Sequence, residues 1–406
     1  MPKAWIRVAA NEEDQPTVAP NRKTWVDEAR TMTSTLFSPL TLGPVTLPNR
    51  VVVSPMCQYL ADDGVPNEWH WMHYMQLAMS GAGLVMFEAT HVERRGRITH
   101  GCLGLYSDAQ EAALTRLLAA ARRVAPPGTR FGVQLAHAGR KGSAQRPQDG
   151  AQALGPGEDA WSTVAPSAVP FSAGWHVPEE LDKAGMQRVL AAFAQAAGRA
   201  NRVGFELVEL HCAHGYLLHE FASPLSNQRT DGYGGSEPAR FRFPLDVALA
   251  LRDILPANMA LGARITGSDY APNGLTVENA VMFAGALKEQ GVAYVCVSGG
   301  GNLARPDVKP SAGYQVPLAA RVRAGARILT RAVGLIVDPH QAERIIATGD
   351  ADMVAIARGF LDNPRWAWHA AEALDAPAIM RPPAYARTDA RVWPGAALAR
   401  PRNGSC

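Results

Sequence analysis

Apolar positions fall into short continuous runs separated by longer segments of helical period. Eight runs stand out, at residues 50–54, 84–88, 130–135, 207–211, 261–265, 294–298, 328–333 and 353–356. They are apolar almost throughout rather than alternating, the pattern of parallel strands covered on both faces. Amphipathic stretches lie between them, clearest at 109–124, 187–203, 239–255, 276–290 and 339–348. Thr276 ahead of an apolar run and Pro339 at a helix start mark N-termini, and Gly291 follows the 276–290 stretch as a C-cap glycine does. Eight strands alternating with helices predict an α/β fold of the (β/α)8 TIM-barrel type. An open doubly wound sheet would want a Gly-x-Gly-x-x-Gly turn after its first strand. Here that strand runs into Pro55-Met56-Cys57-Gln58-Tyr59 instead.

The ends of the chain lack this pattern. Residues 1–35 are polar, hold Pro16 and Pro20, and read as a loose extension; Met32, just before the first patterned segment, reads as an alternative start. Residues 36–375 are read as the barrel, with a long Gly-, Pro- and Ser-rich loop at 138–182 after the third strand. Residues 376–406, rich in Pro and Arg, read as an arm that packs on something else, a neighbouring subunit included.

Composition narrows the class. Of 406 residues, 47% are hydrophobic and 19% charged, which excludes a disordered or collagen-like chain. No apolar run approaches the ~20 residues that span a bilayer. Net charge is +3, from 40 basic and 37 acidic residues that are scattered, so neither nucleic acid nor a membrane is an expected partner. Cys57, Cys102, Cys212, Cys296 and Cys406 form no CxxC pair, which fits neither a disulfide framework nor a zinc site. A reducing, cytoplasmic setting is expected. Glu12, Glu13 and Asp14, with no apolar segment near them, do not make a secretory signal.

In a barrel of this kind the chemistry belongs at the strand C-termini. The fourth strand ends in His211-Cys212-Ala213-His214-Gly215-Tyr216. Two histidines three apart can bind a metal, for which Glu209 and Glu88 would be further ligands, or donate two hydrogen bonds to one oxygen. Tyr216 would then be a general acid. Gly334 after the seventh strand, with Ala357 and Arg358 after the eighth, suits a phosphate. Cys57 is either a small buried hydrophobe or a thiol over a ligand ring. Arg264, inside an apolar strand, demands an anionic or polar partner.

From about residue 36 to 364 the chain resembles the old yellow enzyme family of flavin-dependent ene-reductases, in its compact bacterial branch that includes xenobiotic reductases. The motifs are Leu36-Phe37-Ser38-Pro39-Leu40, Leu47-Pro48-Asn49-Arg50, Ser54-Pro55-Met56-Cys57-Gln58-Tyr59 and Gln134-Leu135-Ala136-His137-Ala138-Gly139-Arg140-Lys141. His211 to Tyr216 follows, and then the most specific stretch, from Ser223-Pro224-Leu225-Ser226-Asn227 to Asp231-Gly232-Tyr233-Gly234-Gly235-Ser236.

The resemblance implies bound FMN reduced by NADPH or NADH, and an electrophilic alkene such as an α,β-unsaturated carbonyl compound as substrate. It places Ser54, Pro55, Met56, Cys57 and Ala89 along the flavin, with Cys57 as a redox-tuning thiol. It puts Gln134 on the pyrimidine edge, Arg264 at the N1/C2 carbonyl end, and Gly334, Ala357 and Arg358 on the phosphate. His211 and His214 would hold the substrate oxygen, Tyr216 would give the proton, and Tyr59 would contact the substrate from the other side. Arg387 would reach a neighbouring subunit's site, which implies a homodimer or higher homo-oligomer. Three other readings remain at this point. A dienoyl-CoA reductase lacks here its cysteine cluster; a metallohydrolase on the His pair would be colourless; a flavin-keeping binding protein would not turn over an enone.

Overall fold

The computed structural model describes residues 34–376 and 380–399, so the extension read at 1–35 lies, but for its last two residues, outside the described residues. Eight parallel strands close a barrel. They are β1 (Val51–Val53), β2 (Leu84–His91), β3 (Arg130–Ala136), β4 (Leu207–Cys212), β5 (Ala260–Thr266), β6 (Tyr294–Ser298), β7 (Leu329–Ala332) and β8 (Met353–Ile356), paired in that order with β8 returning to β1. Each of the eight apolar runs is one of these strands.

The runs are continuous because both faces are buried. Val51, Val53, Val85, Phe87, Val208, Leu210, Val295 and Val297 belong to the main core, between strands and helices. Their neighbours Val52, Leu84, Met86, Leu207, Tyr294 and Cys296 fill the barrel. A hairpin of Leu40–Leu42 and Val45–Leu47 joins this inner cluster through Leu42, Val45 and Leu47.

The outer helices are α1 (Glu68–Ala78), α2 (Asp108–Val124), α3 (Lys183–Val203), α4 (Glu237–Ile254), α5 (Val277–Glu289), α6 (Val316–Ala326), α7 (Pro339–Ala347) and α8 (Trp366–Ala373). Their ends follow local chemistry. Ser107 accepts from Gln110 N–H, Asp182 from Gly185 N–H, Thr276 from Asn279 N–H and Asp338 from Gln341 N–H. Gly204 ends α3 in the left-handed region, as a C-terminal glycine can without strain. Periodicity missed three helices. In α1 the buried stripe is His70, His73, Tyr74, Leu77 and Ala78, while Trp69 and Met72 are exposed, so polar and apolar residues trade places. In α6 the fully buried residues are Ala319 and Val322 alone, and α8 runs only eight residues.

The centre of the barrel is ionic. Glu209 of β4 and Arg331 of β7, both 0% exposed, form an ion pair. Tyr294 of β6 donates to Glu209 Oε2 at 2.6 Å, and Gln134 of β3 donates to Oε1 at 2.9 Å. Gly262 of β5 makes the room, since a Cβ there would stand 2.2 Å from the Tyr294 ring. Four strands distant in sequence meet on one carboxylate. Breaking such a pair leaves a buried charge uncompensated, at about 3–5 kcal/mol. Arg331→Met is therefore expected to lower the unfolding free energy by about that amount in equilibrium denaturation. Combining it with Glu209→Leu is expected to recover much of the loss.

Candidate active site

The C-terminal ends of the strands gather nearly all the residues singled out by sequence. β4 ends in a tight turn. His214 and Gly215 both take left-handed backbone conformations, with φ of 60° and 72°. This turn brings three rings together. His211 lies 5.1 Å from His214 and 4.9 Å from Tyr216, centroid to centroid, edge to face in both cases.

The hydrogen bonds of the two imidazoles define what they offer. His211 Nδ1 accepts from Ala213 N–H at 3.3 Å, so its proton sits on Nε2, which is free to donate. His214 Nε2 lies 2.8 Å from Ser298 Oγ, and Ser298 donates onward to Gln315 Oε1 at 3.3 Å. With Ser298 donating to Gln315, His214 carries its proton on Nε2, so a ligand oxygen would replace Ser298 there or take an Nδ1–H of the other tautomer, in which Ser298 turns its hydroxyl to Nε2. Burial, then the nearby Arg264, hold both histidines well below the usual imidazole range, so both are neutral donors at pH 7. Burial pushes the Tyr216 phenol up, which keeps its proton in place until a base appears.

The segment after β1 forms the opposite wall. Ser54 is buried, Pro55, Met56 and Cys57 are half-buried, and Tyr59 is left-handed at φ 58°. Burial, then Glu88, raise the Cys57 thiol well above its usual range, so it is a thiol and not a thiolate. β2 is irregular between Phe87 and Ala89, which leaves Ala89 level with Gln134 and turns Glu88 out of the ladder. Glu88 accepts from Gln58 N–H at 3.0 Å and from Tyr74 Oη at 3.2 Å, with His70 Nε2 at 3.7 Å. It thereby fixes Gln58 between Cys57 and Tyr59.

The long loop after β3 supplies a roof that sequence did not resolve into residues. Trp175 packs with Cys57, Tyr59 and Tyr216 against a patch of Ile98, Cys102, Ala138 and Ala144. Phe171 stacks edge-on to Trp175 at 4.9 Å.

The two carboxylates considered as metal ligands are engaged elsewhere: Glu209 by Arg331, Tyr294 and Gln134, Glu88 behind the β1 segment. Among the described residues no group of three or more His, Cys, Asp or Glu is placed to hold an ion. The metal reading of His211 and His214 is thus left without its acids.

Arg264 differs from expectation in being only half-buried, and its Nε is buried without a protein partner. Among the barrel strands a fully sequestered arginine is Arg331, which sequence reading passed over although it sits in an equally apolar strand. Gly334 has φ 111°, and a Cβ there would crowd Tyr314 and Gln315 at 3.2 Å. Ala357 has the unusual pair φ −104°, ψ −91° and leads into a helical turn at Arg358–Asp362, with Arg358 exposed. An unmet guanidinium Nε and a second cation beside a glycine turn fit a planar ligand with an electron-rich edge and a phosphate, as FMN has. Arg387 is not assembled with these groups. It is exposed on a 3₁₀ turn, Pro383–Thr388, whose Tyr385 lies 5.9 Å from Trp368 of α8.

A model of the NADH:flavin oxidoreductase / NADH oxidase family matches residues 35–376. An NADPH dehydrogenase of Geobacillus sp. strain WCH70 is 43% identical over 345 residues, covering 84% of this chain and 95% of that protein. One from Listeria innocua serovar 6a is 42% identical over 357 residues, covering 87% and 99%. Among solved structures, morphinone reductase in complex with tetrahydroNAD superposes with a TM-score of 0.69 at 28% identity, over 86% of this chain and 93% of that one. A 2-naphthoyl-CoA reductase complex shares the fold, with a TM-score of 0.74 at 21% identity over 86% of this chain and 54% of that one.

Burial pushes the Glu88 carboxyl from 4.5 up to about 8. Across that window the folded chain holds a proton that the unfolded chain has lost, so stability falls as pH rises. Glu220, pushed up to about 8 by its own burial, adds a slope of the same sign. Glu88→Gln is expected to flatten the fall without abolishing it. The difference in thermal midpoint between variant and parent should grow in the variant's favour from pH 5 to pH 8.5.

Proposed function

Because the chain belongs to the NADH:flavin oxidoreductase / NADH oxidase family, the old yellow enzymes, and is an FMN-dependent NAD(P)H oxidoreductase, we propose that it is an ene-reductase acting on activated C=C bonds. The observation that carries this reading is the placing of His214 and Tyr216 at 5.1 Å and 4.9 Å from the His211 ring, two neutral donors beside a protonated phenol.

Bound FMN supplies a hydride taken from NAD(P)H. The residues of the chain do the rest. His211 Nε2–H and the His214 ring donate to the carbonyl oxygen of an α,β-unsaturated compound, drawing electron density from the β-carbon that receives the hydride. Tyr216 Oη gives a proton to the α-carbon and is reprotonated from water, so the alkene gains one hydride and one proton. Tyr59 and Trp175 hold the substrate from above and exclude water. Gln134, whose Nε2 is fixed by Glu209, would offer its amide oxygen to the flavin pyrimidine, and Arg264 its unmet Nε to the N1/C2 edge. Ser54, Pro55, Met56, Cys57 and Ala89 would line the ring. Gly334, Ala357 and Arg358 would take the phosphate. Arg387 belongs, on this reading, to a second copy's site.

The test is an anaerobic titration of the yellow protein with NADPH, followed by 2-cyclohexenone. Bleaching by the first and recovery with the second are expected. Bleaching without recovery would leave the oxidoreductase and remove the ene-reductase. Tyr216→Phe should slow the recovery by about 10²–10⁴-fold and leave bleaching by NADPH near the parent rate in stopped-flow measurements.

A further inference from the structure

Lys141 is a half-buried cation with no part in the reaction proposed above. It ends a 3₁₀ turn, Gly139–Lys141, directly after β3. Its Nζ donates to His214 O and to Gly301 O, each at 2.8 Å. The same ammonium lies 5.0 Å from the centre of the Tyr216 ring and 4.7 Å from that of Phe171. One charge thus touches the loops after β3, β4 and β6 and the roof.

The contact it closes is tight. Gly301, with φ 92°, presses on the histidine turn so closely that a Cβ there would stand 2.6 Å from His214 Cα. A Cβ on Gly215 would stand 2.3 Å from Gly301 O. His214 holds a left-handed conformation that is costly for an L-residue and persists only where its surroundings over-determine it. Two carbonyl oxygens turned to one point repel unless a cation is shared between them. The titratable groups facing Lys141 are Glu220, whose ionised form favours the ammonium, and Arg140, which opposes it; His211 and His214 feel it in turn. Burial brings its pKa down to about 8, so it is charged at neutral pH.

We propose that Lys141 is a positioning residue for carbon protonation: its ammonium pins the left-handed turn at His214 to the loop at Gly301, and offsets the negative charge that Tyr216 acquires as its proton leaves. The inference rests on the reading of Tyr216 as proton donor. A cation over an aromatic face gains attraction as that ring becomes anionic, and the gain is larger away from water. The proton passes from Tyr216 Oη to the α-carbon, and Lys141 itself transfers nothing.

The test uses Lys141→Met as the FMN-loaded full chain, reduced with dithionite so that nicotinamide binding does not enter. Reoxidation by 2-cyclohexenone, which needs a carbon protonated, is compared with reoxidation by ferricyanide, which needs none. Calorimetric binding of cyclohexanone, which has no C=C bond to reduce, reads the grip on the oxygen without turnover. The expected result is enone reoxidation slowed about tenfold or more, ferricyanide reoxidation unchanged and cyclohexanone bound more weakly. Enone reoxidation at the parent rate, or an equal loss with both oxidants, overturns the proposal. If Lys141→Met fails to hold FMN, Lys141→Gln, which can still bridge the carbonyls but carries no charge, is read by the same split. Tyr216→Phe run alongside separates the two readings. If it is not slowed, the proton-donor reading falls and this inference with it. If it is slowed while the lysine variant is not, this inference alone falls.

Discussion

The carboxylate of Glu209, sealed inside the barrel against the guanidinium of Arg331, sets the level at which polar chemistry begins. Below it the interior is apolar, from the hairpin residues Leu42 and Leu47 to Met86 and Leu207. Such a pair contributes little net stability over a hydrophobic filling, because desolvation offsets attraction. Its effect is on placement. Both oxygens of Glu209 are engaged, Oε1 by Gln134 and Oε2 by Tyr294 and Arg331. The orientation of Gln134 at the mouth is therefore decided by a strand on the far side of the barrel.

Above that level the balance of charge changes. The acids are either paired, as Glu209 is, or driven by burial toward their neutral forms, as Glu88 and Glu220 are. The two histidines are neutral for the same reason. Arg264, Arg358 and Lys141 remain as cations around the opening. A site built this way attracts anionic ligands and strengthens each hydrogen bond made to them, since little water competes. An anionic phosphate and a planar ring that gains charge on reduction meet that demand.

Much of this was legible in sequence because burial on both faces leaves a signature. All eight strands appeared as continuous apolar runs, and the groups at their ends were visible as polar breaks: His211, His214 and Tyr216, Gln134, Gly334, Arg358. Helices with an apolar stripe were legible too, whereas α1, which turns His70, His73 and Tyr74 inward, was not. What stayed hidden depends on contacts between loops distant in the chain. Arg264 and Arg331 look alike in sequence, and only closure of the barrel pairs Arg331 with a carboxylate and leaves Arg264 without one among the described residues. Lys141 ends a motif in sequence but shows no role until the chain between it and His214, 73 positions further on, is folded away. Glu88 needed the break in β2 to leave the ladder, and no local residue announces that break.

The roof stands apart from this framework in one respect. Arg140 anchors its middle through Val169 O and Pro170 O, and beyond that anchor Phe171 and Trp175 are half-buried while Ala173 and Gly174 face solvent. The solvent-facing positions of such a segment contribute little to global stability, because changes away from packed or charged sites typically shift it by no more than ~0.5 kcal/mol. Selection can therefore vary the roof without drawing on the stability held by the barrel. On the reading proposed above, in which the roof covers the substrate, substrate range can change at little cost to stability, whereas the groups that would seat the cofactor are tied to the barrel.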